Sequence, residues 1–316
     1  MTPSQISSLK FQTDKRLSMR EAIARFVPNG SSVVLGAPLE SMIPFSAGHE
    51  IIRQGKRDLT LVGPISDMLF DQIIGAGCAR RIIAAWVGNV SAGLGHNYRR
   101  AVEQSIPHSI EVQDHSNFTI ALALLAGSLG TPYIPTYSLL GTDLLRTNSM
   151  FKESTSPFGG EKVLLVPALQ PDVAILNVQR SDPEGNAHCW GNLGISEEAA
   201  LASKGTILVT EEIVSREVIL SDPNRVLAPK FKVLAVVHEP GGAHPSPVQG
   251  YYNRDHEAYH AYHRQSRTLE GFQAWLEQWV LGVRDRAEYL TRLGAARWRR
   301  LQRIEPRYAE LVDYGY

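Results

Sequence analysis

The chain has 316 residues, 43% of them apolar, and its 32 Lys and Arg balance 32 Asp and Glu. That length can bury a full core, and zero net charge supplies no field to gather nucleic acid or an anionic membrane surface. No apolar run reaches the roughly 20 residues that span a bilayer, and MTPSQISSLKFQTDKR lacks an apolar secretory segment, so a soluble cytoplasmic protein is expected.

Ser18 to Val27 reads as a helix N-capped by Ser18, with Ala22, Ile23 and Phe26 on one face, and Pro28-Asn29-Gly30 stops it. Ser32 to Leu35 is a first core strand running into Gly36-Ala37-Pro38. No GxGxxG follows it, which argues against a nicotinamide cofactor. Pro44 to Gln54 reads as a helix and Asp58 to Val62 as a strand. The turn Gly63-Pro64-Ile65-Ser66-Asp67 then opens the helix Met68 to Ile74, and from the residues alone Ser66 is its N-cap. Arg81 to Val87 is another strand. Behind it comes Gly88-Asn89-Val90-Ser91-Ala92-Gly93-Leu94-Gly95, whose glycines and short polar side chains allow close backbone approach by a ligand. GxxxxGK[ST] is absent, so this is not a nucleotide P-loop. The isolated cysteines, Cys78 and Cys189, form no CxxC and read as packed thiols of a reducing compartment.

Ser109 to Gln113 is a short strand, and Ser116 caps a helix from Phe118 to Leu129 that ends in Gly130-Thr131-Pro132. Thr136 to Gly160 has little periodicity, and a segment that long without structure tends to be functional. Val163 to Val166 and Val173 to Val178 are apolar runs without alternation, as expected of strands covered on both faces of a parallel sheet. The second run breaks into Ser181-Asp182-Pro183-Glu184-Gly185-Asn186. Such a turn at a strand's carboxyl end is where open α/β sheets place ligands, and Asp182, Asn186 and His188 cluster there.

Further on, Ser196 is expected to cap a helix to Lys204, and Thr206 to Thr210 is a strand ending in Glu211-Glu212. Adjacent strand residues point to opposite faces, so these carboxylates read as structural, not as an acid–base pair. Lys232 to Val237 is a late strand, and Asp255 to Gly294 reads as amphipathic helix with Phe272, Trp275, Leu276 and Trp279 on one side. His256, His260 and His263 have the spacing to share a helix face. With no HExxH and with Tyr259 and Tyr262 interleaved, they read as surface or packing histidines, and no metal is expected. Arg297, Arg299, Arg300 and Arg303 form a basic end suited to solvent or a subunit contact.

Five blocks carry a family likeness in order: GHEIIRQGKRDLTLVG from Gly48, IEVQDHSNFTIALALLAGSLGTPYIPTYSLLGTDLL from Ile110, EKVLLVPALQPDVAILNVQRSDPEGNAHCWG from Glu161, GGAHPSPVQGYY from Gly241 and WVLGVRDRAEYLTRLG from Trp279. Together they resemble the α subunit of class I CoA-transferases, closest to that of glutaconate CoA-transferase, over roughly residues 19–294. The resemblance implies an α/β fold of the NagB/RpiA-like kind, an open, mostly parallel sheet with helices on both faces. It implies a single domain over 1–316 with a helical C-terminal extension from about 253. A β subunit of similar fold would be the partner, in an α2β2 or larger assembly. The β chain's glutamate would attack an acyl-CoA, and a carboxylic acid would take the CoA. Coenzyme A is then a substrate and no cofactor is permanently bound.

On the same resemblance, Ser66 faces the active site and hydrogen-bonds the substrate carboxylate, Asn89 and Ser91 line the same pocket, and Asp182, Asn186 and His188 match the family's polar turn. One departure concerns the first strand: family members carry an Arg shortly after it, whereas Leu39-Glu40-Ser41-Met42 stands here. Relatives with this fold include CoA-thioester decarboxylases and carbon–carbon hydrolases. In the hydrolases a segment like IEVQDHSN carries a catalytic acid, for which Glu111 and Asp114 are the alternatives.

Overall fold

Neighbouring residues of the central strands enter two different cores. Val33, Leu35, Val173, Ile175, Ile207 and Val209 join one, while Val34, Ala174, Leu176 and Leu208 join the other. A strand covered on both faces has no solvent side to alternate towards, hence its continuous apolar run.

The structure is a computed structural model and describes residues 12–303. In chain order the strands are β1 (Ser32–Val34), β2 (Leu59–Ile65), β3 (Ala79–Trp86), β4 (Gly88–Asn89), β5 (Gly93–Leu94), β6 (Glu111–Asp114), β7 (Tyr133–Thr136), β8 (Lys152–Thr155), β9 (Lys162–Pro167), β10 (Val173–Ser181), β11 (Ala187–His188), β12 (Gly205–Ile213) and β13 (Val233–His238). The main sheet runs β13-β12-β10-β1-β2-β3-β6 with every neighbour parallel, and β11 pairs antiparallel with β10. The expected open, mostly parallel α/β sheet is therefore present.

One core holds the helices Met19–Phe26, Phe45–Arg53 and Asp67–Gly75, together with Tyr259, Tyr262, Phe272 and Trp275 from the C-terminal helices. The other holds Asn117–Leu129 and Ser196–Ala202. Ser18 and Ser116 cap their helices with complete capping boxes, and Gly130 closes the second in the left-handed conformation.

Three local expectations need correction, and one helix goes unannounced in the sequence. Val163 to Val166 belongs to β9, which pairs antiparallel with β7 and β8 in a separate three-stranded sheet. Leu164 and Val166 lie against Ala123 of the helix Asn117–Leu129, and a run of four apolar residues does not distinguish this from a central parallel strand. The aperiodic stretch 136–160 supplies β8 and a short helix, Leu144–Thr147. Ser196 is the first helical residue, not the cap. The helix His96–Gln104 has no predicted counterpart, because only its Asn97 and Ala101 are buried and no apolar stripe advertises it.

The C-terminal extension forms the helices His256–Gln265, Leu269–Leu276, Arg286–Leu293 and Ala295–Leu301, and residues 304–316 of that expectation lie outside the described residues. Among the described residues no helix is long and apolar enough to cross a membrane.

Candidate active site at the carboxyl edge

Strands β1, β2, β3 and β6 step outward one way and β10, β12 and β13 the other, so the chain reverses between β1 and β10. Open α/β sheets hold ligands in the crevice outside the carboxyl ends at such a reversal. Here that edge is formed by the turns after β1 (35–42), after β2 (66–67), by the β4–β5 hairpin after β3, and by the loop 191–194.

The β1 and β2 exits lie almost in contact. A Cβ on Gly36 would stand 2.5 Å from Ser66 Oγ, and one on Gly63 would stand 2.5 Å from the Leu35 carbonyl. Gly36 also has φ 69°, so glycine is required there on both counts. Ser66 is fully buried at the N-cap position of Asp67–Gly75, but it makes no capping bond. Its hydroxyl donates instead to the Leu35 carbonyl at 2.6 Å, which ties the two exits together and leaves the oxygen as an acceptor.

Next to it Asp67 is fully buried with φ 48°, a left-handed conformation uncommon outside glycine. Its Oδ1 accepts the Met68 and Val90 amides, both at 3.0 Å, and its Oδ2 accepts from Arg254 Nη2 at 3.2 Å. Burial pushes the carboxyl up to about 6 against the opposing pull of Arg254 and the Val90 amide. Arg254 also donates to Ser91 Oγ at 2.8 Å, pairs with Glu40 at 3.6 Å, and stacks over the Tyr259 ring at 3.7 Å. Asn89 Oδ1 accepts the Ser91 amide at 3.0 Å, and its Nδ2 donates to the Tyr259 carbonyl at 2.8 Å. Asn89 and Ser91, expected from sequence, thus stand in one hydrogen-bonded network, and Ser66 adjoins it as the residue before Asp67 while its hydroxyl goes to Leu35. Asp67 and Arg254, which bind the hairpin of Ser91 to the turn after β2, carried no signal in the sequence.

The second predicted cluster lies apart from this network. Asp182 accepts the Glu184 and Asn186 amides at 3.0 Å and Asn186 Nδ2 at 2.7 Å, so its carboxylate is spent inside the turn. The turn folds back on the sheet, where a Cβ on Gly185 would meet Val233 at 2.8 Å. His188 is buried, with Nε2 against the Ile219 carbonyl at 2.8 Å and Nδ1 accepting from Arg180 at 3.2 Å. These contacts hold the turn in shape from within and against its neighbours.

Glu111 and Asp114 sit on the outermost strand, with β2 and β3 between them and β1. Both are exposed, and Glu111 pairs with Arg81 at 2.8 Å.

Glu211 is buried and accepts Tyr252 Oη and the Gly241 amide, both at 2.7 Å, while Glu212 on the opposite face takes the Tyr251 hydroxyl at 2.9 Å. Of the three helix histidines, His256 and His260 meet at 2.8 Å and His263 faces His96. Among the described residues no group of three or more His, Cys, Asp or Glu could hold a metal ion. In the basic tail, Arg297 is committed to Asp255 at 2.6 Å.

Interlocked turns at the point where the strand order reverses define the class of site. The chain matches the Coenzyme A transferase family model over residues 16–239 and belongs to that family. It is 41% identical to the A subunit of 3-oxoadipate CoA-transferase from Pseudomonas knackmussii, over 88% of this chain and 97% of that one. The crystal structure of glutaconate coenzyme A-transferase from Acidaminococcus fermentans superposes with TM-score 0.87 at 32% identity, covering 94% of this chain and 98% of its own. A variant of the decarboxylase AibA/AibB superposes with TM-score 0.72 at 28% identity, covering 84% and 99%.

Proposed function

We propose that this chain is the α subunit of a heteromeric CoA-transferase that moves CoA from an acyl-CoA to a carboxylic acid, with the nucleophilic glutamate on the partner β subunit. The observation that carries this reading is the 41% identity to the corresponding 3-oxoadipate CoA-transferase chain, which spans nearly the whole of that protein. The decarboxylase likeness is weaker in both identity and superposition.

The partner's carboxylate attacks the thioester carbonyl, and CoA thiolate leaves an acyl-glutamyl anhydride. The thiolate then attacks the glutamyl carbonyl and expels the first carboxylate, leaving a glutamyl-CoA thioester. An acceptor carboxylate repeats the exchange in reverse.

This chain contributes a wall to that reaction. Backbone amides in the partly exposed turn 91–94 and the exposed turn 191–194 supply hydrogen bonds to each tetrahedral oxyanion. Ser66, Asn89 and Ser91 shape the pocket floor. The assembly is α2β2 or larger and works in the cytoplasm, with CoA as a substrate.

The complex co-purified with its β subunit, incubated with acyl-CoA and then treated with borohydride or hydroxylamine, should carry label on one glutamate of the β chain. Thioester hydrolysis without any such label overturns the proposal.

A further inference from the structure

We infer that Arg254 is the positioning residue of the carboxyl edge: it fixes the Ser66 turn through Asp67 and the β4–β5 hairpin through Ser91, so that both are presented as one rigid wall. The inference deepens the CoA-transferase reading and rests on it for its catalytic consequence.

Three observations converge on this guanidinium. One nitrogen, Nη2, serves Asp67 at 3.2 Å and Ser91 at 2.8 Å, and the side chain is fully buried. Nη1 reaches Glu40 at 3.6 Å, so the turns after β1, β2 and β3 all lead to one cation. Tyr259 supplies the platform beneath it and, through its carbonyl, the anchor for Asn89. Asp67 meanwhile holds a positive φ that a non-glycine residue keeps only when its surroundings over-determine it. Its two oxygens are fixed by the Met68 and Val90 amides on one side and by Arg254 on the other. Losing the guanidinium strands a buried carboxylate and removes the bond to Ser91. The exits of β2 and β3 are then free to move relative to each other. A Lys ammonium is a point charge on a flexible stem and does not reproduce this planar fork over an aromatic ring.

The test uses the complete enzyme, this chain co-purified with its β subunit, carrying Arg254→Lys. Hydrogen–deuterium exchange should show protection lost at least tenfold in segments 66–70 and 88–95 together, with β10 and β12 unchanged. In CoA transfer kcat should fall at least tenfold while KM for acyl-CoA stays within twofold. Unchanged exchange in the two segments overturns the inference. Faster exchange with kcat within twofold of wild type overturns it as well, since the contact would then serve stability alone. Should Arg254→Lys give no soluble complex, Ser91→Ala removes one bond only. It should speed exchange in 88–95 while sparing 66–70, and lower kcat several-fold; no change in either measurement overturns the inference. If the wild-type complex transfers no CoA, the functional reading falls, and the exchange experiment still decides whether Arg254 fixes the edge.

Discussion

Arg254 and Asp67 meet at 3.2 Å across 187 residues of sequence, with both side chains wholly buried. A buried pair of this kind is costly to halve, because the survivor keeps its charge in a medium that cannot solvate it. It joins the C-terminal segment to the exits of the first strands, and the carboxyl edge is arranged around it.

The close approach of Gly36 to Ser66 gives a graded prediction. Gly30 and Gly36 both have positive φ, but a Cβ at Gly30 meets nothing within 4 Å, whereas one at Gly36 stands 2.5 Å from Ser66 Oγ and 2.8 Å from its Cα. Gly30→Ala should cost about 1 kcal/mol from backbone conformation alone. Gly36→Ala should cost about 2 kcal/mol beyond that, because backbone has to shift, and should lower transfer activity. Urea denaturation of both variants checks the difference, and equal losses would refute it.

Glu211 sets a dependence on pH. Burial pushes its carboxyl up to about 7 despite hydrogen bonds from Tyr252 and Gly241. A carboxyl whose folded pKa exceeds the unfolded value favours the fold below the unfolded pKa and loses that contribution as pH rises through the folded one. Between about pH 4.5 and 7.5 this group should remove on the order of 3 kcal/mol. Glu211→Gln should flatten the fall in melting temperature over that window; an unaltered profile counts against the assignment.

Asp255 acts in the opposite sense. Burial raises its pKa, but hydrogen bonds from His244 and Arg297 outweigh this and hold the carboxyl at about 2. Its contribution is complete above the unfolded pKa and disappears as pH falls towards 2. Asp255→Asn should cost about 2 kcal/mol at neutral pH and make acid unfolding less steep. The measurement is an acid titration followed by circular dichroism.

Both cysteines are buried, and burial pushes each thiol up to about 12. Neither holds appreciable thiolate at neutral pH. Iodoacetamide should leave the native protein unmodified and add two groups in urea. A rapid native modification, read by mass spectrometry, would contradict this.

The fold was legible where a single element carries its own signal. Ser18 and Ser116 announce helix starts, and the run from Val173 announces a doubly covered strand. Val163 to Val166 misled because burial against one helix on one face looks, over four residues, like burial on both. At the candidate site, Ser66, Asn89 and Ser91 stand out by turn chemistry and family likeness. Arg254 could not, because nothing in YYNRD reveals that its partners lie near residues 40, 67 and 91. The polar turn at Asp182 shows the converse: its residue types suit a ligand or a loop clasp alike, and sequence does not reveal that the Asp182 carboxylate bonds within its own turn.

The junction of β1 with β10 has a consequence for biosynthesis. The pair is clasped at its start by Asp172, which accepts the amide and hydroxyl of Ser32 from 140 residues further along the chain. While a ribosome is still making the intervening segment, β1 has β2 on one flank and an open row of peptide groups on the other. Such a row is a template for pairing with the wrong strand. The nascent N-terminal half therefore stays exposed to misassembly until residue 173 and the strand it begins have emerged.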